Sequence, residues 1–193
     1  MNILFLNGSP RKSGYTVGIM KYIEKGIEPT HTVEWINAYD LKISPCMSCF
    51  GCRPNRECIL PKDDGHDVWH KLRSADAIII GSPTYYGNIS GQLKVLIDRN
   101  LTAFEEMAAS GLESPIALHK GKKAVIVTAC NSPAPISQLP TQSKGALQAM
   151  ESVLKAGGYN IIGSITLDGA AFKKGIPLDI QKEAQSLGMK ISL

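Results

Sequence analysis

The sulfur-bearing side chains of this sequence are concentrated in one short segment. Four of the five cysteines follow the spacing C-x2-C-x2-C-x5-C: Cys46, Cys49, Cys52 and Cys58. Thiolates this close in the chain can turn inward to one metal centre, and four-cysteine ligation is typical of iron–sulfur clusters. Zinc also accepts four cysteines, but its sites usually consist of two separated pairs. The spacing favours an iron–sulfur cluster over three alternatives: a zinc site, a redox-active dithiol and a structural loop.

Other residues in the same segment suit an anionic cluster. Arg53 and Arg56 would offset its negative charge, and Gly51 relieves backbone crowding beside the cysteines. The fifth cysteine, Cys130, follows an apolar run and is expected to be a small buried hydrophobe.

A second candidate site follows the first predicted strand. Residues 8–16, Gly-Ser-Pro-Arg-Lys-Ser-Gly-Tyr-Thr, join that strand to the start of a helix, where free backbone N–H groups and the helix dipole attract anions. The loop adds hydroxyls and cations. It lacks the Gly-x-Gly-x-x-Gly pattern of dinucleotide folds and the Gly-Lys-Ser/Thr of nucleoside triphosphate loops. We expect a phosphate site here, and the alternative is an ordinary strand-to-helix turn.

A loop with two adjacent tyrosines follows a buried strand. Residues 81–88, Gly-Ser-Pro-Thr-Tyr-Tyr-Gly-Asn, can offer an aromatic face and backbone donors to a flat heterocycle, although paired tyrosines are more often packing residues. In the helix that follows, Lys94, Asp98 and Arg99 are predicted to form surface and subunit-contact ion pairs rather than a catalytic set.

The elements that must position these residues alternate along the chain. β-branched runs predict strands over 2–7, 32–37, 76–81, 123–129 and 159–167. Helical spacing predicts helices over about 16–26, from 63 or 64 through 72, from a cap at 88 or 90 to about 99, over 142–156 and from 178 to about 189. This pattern indicates an α/β fold with a doubly wound five-stranded parallel sheet, strand order 2-1-3-4-5, and helices on both faces.

Ligands of such a sheet lie beyond the carboxyl ends of its strands, so the loops that start at Gly8, Gly81 and Cys130 should share one site. The segment 100–121 is predicted to be irregular or partly helical and to cover an edge of that site. We expect one domain over 1–193, with a cysteine-rich loop insertion at about 44–62.

Histidines and acidic residues contribute no further catalytic pattern. His66 and His70 lie four residues apart on a predicted helix without a third ligand, so we expect them on a solvated face. Asp63 and Asp64 are predicted to cap that helix.

Composition excludes several classes of protein. With 44% apolar and 20% charged residues, the chain is typical of a globular protein. A net charge of +4 without a charge block gives little support for nucleic-acid binding, and the longest strongly apolar runs are too short to span a membrane. No secretory pattern opens the sequence, so a cytoplasmic location is expected, where cysteines stay reduced.

Taken together, the two loops and the following Leu-Lys-x-x-Ile-Asp-Arg resemble the NAD(P)H-dependent FMN reductase family of the flavodoxin-like superfamily over residues 2 to about 167. The cysteine segment is similar to that of the iron–sulfur flavoprotein subgroup, which carries a [4Fe-4S] cluster. The resemblance implies that four residues hold the FMN phosphate: Ser9, Arg11, Ser13 and Thr16. It implies that the isoalloxazine is contacted by Pro83, Thr84, Tyr85, Tyr86, Gly87, Asn88 and Asn131.

The resulting prediction is an FMN-dependent oxidoreductase with NAD(P)H as a transient donor and a small-molecule acceptor, or an electron relay that uses the cluster and a ferredoxin-like partner. The flavin carries the chemistry, so no catalytic side chain is assigned. The resemblance also implies a homo-dimer or tetramer. Two alternatives stay open: a flavodoxin-like carrier, which the positive charge disfavours, and a zinc-stabilised binding module that has lost FMN.

Overall fold

The computed structural model describes residues 1–53, 55–106 and 115–193. Over these residues the strands are β1 (Asn2–Asn7), β2 (Thr32–Asn37), β3 (Ala77–Pro83), β4 (Glu105–Glu106), β5 (Ile116–Ala117), β6 (Lys123–Ala129) and β7 (Asn160–Leu167). The α-helices are α1 (Tyr15–Gly26), α2 (Asp64–Ser74), α3 (Gly91–Arg99), α4 (Leu101–Phe104), α5 (Ser143–Ala156) and α6 (Leu178–Ser192).

Five of the strands form one parallel sheet in the order β2-β1-β3-β6-β7. Counting only these five along the chain, this is the order 2-1-3-4-5, so the predicted fold class is confirmed. The central strand β3 is buried along almost its whole length, whereas the edge strand β2 is largely exposed or half-buried. The short strands β4 and β5 pair antiparallel as a separate ribbon.

Each face of the sheet carries its own apolar core, because successive strand side chains point to opposite faces. Leu4 and Ile78 pack with α2, α3 and α5 on one face. Ile3, Phe5 and Ile79 pack with α1 and α6 on the other. Burial of one such side chain stabilises the fold by about 1.5–3 kcal/mol, so the two cores hold the strand ends in register.

The observed boundaries lie close to those predicted. β3 continues past residue 81 to Pro83 because it stays paired with β6 as far as Ala129. α6 continues past residue 189 to Ser192, and Ile191 in its last turn is fully buried. None of the described helices has both the length and the apolar character that crossing a membrane requires.

Candidate functional site

A cavity of about 830 Å³ opens at the carboxyl ends of β1, β3, β6 and β7, a size usual for small-molecule sites. The three loops predicted to share a site therefore meet. Eight of the residues predicted to bind a cofactor line this cavity: Ser9, Arg11, Ser13, Thr16, Pro83, Thr84, Tyr85 and Asn131. The described residues of segment 100–121 do not line it, so for them the predicted edge cover is wrong, and residues 107–114 lie outside the described residues.

The loop after β1 leaves the start of α1 open. Asn7 Oδ1 accepts the backbone N–H of Ser9 at 2.8 Å, and Ser9 Oγ accepts that of Arg11 at 3.2 Å, so the loop is held by its own side chains. α1 begins after Gly14, which has no side chain to cap the helix, and its first turn contains no acidic residue. Its N–H groups and dipole therefore attract an anion. Together with the Arg11 cation, this helix start fits a terminal phosphate.

The end of β3 forms the opposite wall. The backbone N–H of Thr84 donates to the Ala129 carbonyl at 2.9 Å, and the Thr84 and Thr128 hydroxyls lie 3.1 Å apart. These bonds continue the pairing between β3 and β6 beyond the sheet. Tyr85, which is about half exposed, follows directly and lines the cavity, so an aromatic ring stands beside a rigid strand end.

A tight turn carries the second tyrosine away from the cavity. The backbone groups of Tyr85 and Asn88 are joined by two hydrogen bonds of 2.9 Å, and the residues between them, Tyr86 and Gly87, have φ of 48° and 72°. Positive φ at both central positions defines a type I′ turn, which explains the glycine. Tyr86 at the tip is fully exposed. These three residues, Tyr86, Gly87 and Asn88, do not line the cavity, so contact with a cofactor stays a prediction for them.

Cys130 does not face the cavity. Its side chain is buried, and its thiol lies 3.4 Å from the Gln142 side-chain oxygen. The expectation of a buried small residue is therefore confirmed, and the neighbouring Asn131 is the residue that lines the cavity.

One wall of the cavity was not predicted from the sequence, and it comes from the loop between β7 and α6. Its residues Lys174 and Ile176 line the cavity, and the Tyr15 hydroxyl donates to the Lys173 carbonyl. Ile176 packs against α1 at Gly18. The signal was available, because β7 is also a parallel strand and its carboxyl end lies at the same edge of the sheet.

The described residues of the cysteine segment do not line this cavity. They follow β2 and precede α2 in the chain and form no helix or strand. Cys46 and Cys49 are exposed, whereas Cys52 and Cys58 are half-buried. Burial raises the pKa of the Cys52 thiol, and the three other thiols are close enough to raise it further. Among the described residues, no three His, Cys, Asp or Glu side chains are grouped tightly enough to hold one metal ion.

The backbone of the cysteine segment is left-handed at two positions between the cysteines. Ser48 and Phe50 have φ of 53° and 57°. The Arg53 guanidinium lies 4.1 Å from the centre of the Phe50 ring. Its buried Nε has no hydrogen-bond partner among the described residues. The segment therefore has a buried donor available for an acceptor.

Arg99 departs from its predicted position. We expected a surface ion pair, yet its side chain is 1% exposed and lies between α3 and the cysteine segment. Its guanidinium contacts Cys58 Sγ, and Nη2 lies 3.2 Å from Asp63 Oδ1. The prediction failed because Arg99 points inward at the end of α3. Lys94 and Asp98 of the same helix form the expected surface pair at 2.6 Å.

His66 is also not on a solvated face. Its Nδ1 accepts the backbone N–H of Asp63 at 3.2 Å, which completes a capping box with the Asp63 side chain at the start of α2. Its Nε2 lies 3.0 Å from the Cys58 carbonyl oxygen, to which it donates. The predicted cap at Asp63 is confirmed, and the histidine helps to hold the cysteine segment.

Comparison with known proteins identifies the family. The family described as NADPH-dependent FMN reductase matches residues 1–165 of this chain. The chain belongs to this family. The match includes the loops after β1, β3 and β6 and the cysteine segment, but not the loop between β7 and α6.

Several curated proteins similar to this chain are iron–sulfur flavoproteins. One from Methanocaldococcus jannaschii is 36% identical over 105 residues, which cover 52% of each chain. One from Clostridioides difficile is 28% identical over 98% of this chain and 77% of its own length. The match thus spans about half the length of the first of these relatives.

Solved structures agree with the fold. An FMN-dependent NADH-azoreductase from Bacillus anthracis, in complex with FMN, has a TM-score of 0.76 at 16% identity with both chains fully covered. An archaeal flavodoxin has a TM-score of 0.58 at 16% identity, covering 100% of this chain and 96% of its own. At these identities the likeness concerns the fold alone.

Proposed function

We propose that this protein is an FMN-dependent oxidoreductase that takes electrons from NAD(P)H and passes them to a small-molecule acceptor. The observation that carries the proposal is the cavity, which combines the uncapped start of α1 with the rigid wall at the end of β3. Family membership supports the same cofactor and donor.

The residues of the cavity suit the two ends of FMN. Arg11, the loop hydroxyls and the first N–H groups of α1 would bind the phosphate, since a phosphate dianion is stabilised by cations and helix N-termini. Pro83, Thr84 and Tyr85 would lie along the isoalloxazine, with Asn131 as a polar partner. When bound, the flavin supplies hydride and one-electron chemistry, while the protein orients it and limits access of water.

A reductase fits the charge of the chain better than a pure carrier does. Carriers that dock on basic partners gain from a strongly acidic surface, whereas this chain has a net charge of +4. A basic surface instead favours an anionic donor such as NAD(P)H. A ferredoxin-like partner and a homo-oligomer remain part of the proposal, as does a reducing, cytoplasmic setting for the cysteines.

We further propose that Cys46, Cys49, Cys52 and Cys58 bind a [4Fe-4S] cluster. Three observations support this: the four-thiol donor set, the left-handed backbone between the cysteines, and the buried Arg53 Nε, which has no hydrogen-bond partner in the part of the chain that the structure describes. In such a cluster each cysteine binds a different iron, so the four sulfurs need not converge on one ion. The names of the curated relatives point the same way.

The test is to purify the protein anaerobically and to measure FMN, iron and acid-labile sulfide per chain. One FMN with about four irons and four sulfides is expected. Stopped-flow mixing with NADPH should then bleach the flavin absorbance. Bound flavin that NADPH does not bleach would support a carrier or relay, and a protein that stays colourless after addition of FMN would support the zinc-stabilised module.

A further inference from the structure

Arg99 is a buried cation that does not line the cavity, so binding of FMN and NAD(P)H does not explain why it is there. It is the last residue of α3, far along that helix from the cavity loop, and its side chain is almost fully enclosed. A buried guanidinium is costly unless anionic or polar partners surround it. The residues that contact Arg99 therefore indicate its role.

All of these partners belong to the cysteine segment or to its junction with α2. Arg99 Nε donates to the Ser44 carbonyl at 3.2 Å, and Nη2 lies 3.2 and 3.3 Å from the two carboxylate oxygens of Asp63. Nη1 contacts Cys58 Sγ. One side chain thus joins both ends of the segment, residues 44 and 63, and one of its four thiols.

The fold makes room for this arginine. A Cβ at position 65, in the first turn of α2, would lie 3.2 Å from Arg99 Cγ, so Gly65 allows the stem of the arginine to pass close to the helix. Asp63 is fixed from its other side by the backbone N–H groups of Ser44 at 2.9 Å and Gly65 at 3.0 Å. The carboxylate and the guanidinium are therefore held in a defined geometry.

Cys58 is the cysteine that most needs such support. The other three follow one another at x2 spacing, whereas Cys58 is separated from Cys52 by five residues. Two helices hold it in place: His66 of α2 donates to its carbonyl oxygen at 3.0 Å, and Arg99 of α3 contacts its sulfur.

We propose that Arg99 is a positioning residue for the metal centre: it holds Cys58 as the fourth ligand and, through its buried charge, raises the affinity of the centre for electrons. This inference rests on the proposed cluster. The physical reason is that a reduced cluster carries one more negative charge, which a nearby cation stabilises, and that hydrogen bonds to ligand sulfur act in the same direction. Asp63 partly offsets this charge and so acts in the opposite direction.

The experiment measures the midpoint potential of the cluster by EPR-monitored redox titration of the anaerobic, FMN-loaded protein, together with iron content. Arg99→Gln should lower the affinity for the electron at least tenfold, a shift of about 59 mV to more negative potential. Asp63→Asn keeps a residue that can cap α2, and it should shift the potential in the positive direction. Arg99→Lys keeps the charge and should stay near the parent potential with lower iron content, because the planar fork is lost.

Lys94→Gln is the matched control, since it removes one positive charge from the exposed side of the same helix. Its potential should equal that of the parent. A purely structural role would lower iron content in both Arg99→Gln and Asp63→Asn without opposite shifts in potential.

Equal potentials in the parent, Arg99→Gln and Asp63→Asn would overturn the role of Arg99 while leaving the cluster in place. If Arg99→Gln fails to fold or to hold iron, the Asp63→Asn variant tests the inference by itself. A more positive midpoint potential in Asp63→Asn supports the role of Arg99, and an unchanged or more negative midpoint potential overturns it. A parent protein without iron overturns the cluster and this inference together, whereas FMN binding would stand.

Discussion

The walls of the cavity come from the ends of regular elements, whereas the described residues of the cysteine segment form no helix or strand. In the cavity, a strand end or a helix start presents backbone groups, and the sheet holds them in register. The cysteine segment is held instead by side chains that reach it from two helices, above all Arg99 and His66. The cavity therefore depends on the fold as a whole, and the cysteine segment depends on a few contacts. Substitutions in the two regions should have separable effects.

The largest expected effect is loss of metal from the cysteine segment. Replacing Cys49 with Ala should remove most of the iron, because a four-iron cluster needs its four thiolates. FMN should stay bound, since the phosphate loop lies at the end of another strand. Iron and FMN are measured together on the anaerobic protein. Cys130→Ala is the control, and the separation of the regions is wrong if Cys49→Ala loses FMN in parallel with iron.

Arg11→Ala should weaken FMN binding by about 10- to 150-fold, because hydrogen bonds to charged groups contribute about 1.5–3 kcal/mol. Riboflavin, which lacks the phosphate, should lose much less affinity. Fluorescence titration of both flavins measures the difference. Lys12→Ala is the matched control, since this neighbouring cation is exposed and pairs with Asp40 at 3.1 Å. Equal losses for FMN and riboflavin would place the phosphate elsewhere.

Gly87→Ala should destabilise the protein by about 1–3 kcal/mol, because alanine is strained at a φ of 72°. Its methyl group would also lie 2.6 Å from Thr141 Cα. Urea unfolding measures the loss, which should be accompanied by weaker FMN binding while iron is retained. Gly91→Ala in the first turn of α3 meets open space and should leave stability unchanged or slightly higher. Equal free energies of unfolding for Gly87→Ala and Gly91→Ala would show that the turn is not rigid.

The two tyrosines should differ. Tyr85 lines the cavity, so Tyr85→Ala should weaken FMN binding by about 0.5–1.5 kcal/mol, the usual contribution of an aromatic contact. Tyr86 lies at the exposed tip of the turn, and Tyr86→Ala should have a smaller effect in the monomer. Flavin affinity and absorbance are measured for each variant separately. A larger loss from Tyr86→Ala would show that a second subunit or a bound ligand brings this ring to the site.

The smallest expected effect is an acid-dependent loss of stability at the base of the cysteine segment. Burial alone would raise the pKa of Asp63, but the N–H groups of Ser44 and Gly65 and the Arg99 guanidinium lower it below its usual value. The stabilisation is therefore complete above a pH of about 4, the ordinary pKa of aspartate, and is lost as the pH falls through the lower folded-state pKa.

Urea midpoints at pH 6 and pH 3 measure this loss. Asp63→Asn should show a smaller decrease between the two pH values than the parent, because asparagine does not titrate. An equal decrease in both proteins would mean that other carboxylates account for the acid sensitivity.

Residue patterns alone were sufficient to predict the strand order of the sheet and most of the residues that line the cavity. Apolar runs and helical spacing predicted the strand order, and the rule that ligands lie at the carboxyl ends of strands brought together the loops that carry Ser9, Pro83 and Asn131. These features depend on neighbouring residues or on the order of the elements along the chain, so they can be predicted from the sequence. The same rule applies to the wall with Lys174, because β7 is a parallel strand whose carboxyl end lies at the same edge of the sheet.

Tertiary structure decided which of the predicted residues face the cavity and what the polar residues of α3 do. Tyr86 follows Tyr85 in sequence, yet a turn with positive φ directs it to solvent. Arg99 follows Asp98 on one helix, yet it is buried against a thiol and a carboxylate that lie about forty positions earlier in the chain. Helical spacing predicts which residues share a face, but not which distant loop packs on that face. The sequence by itself determined the elements and the chemistry available; long-range packing decided which side chains meet.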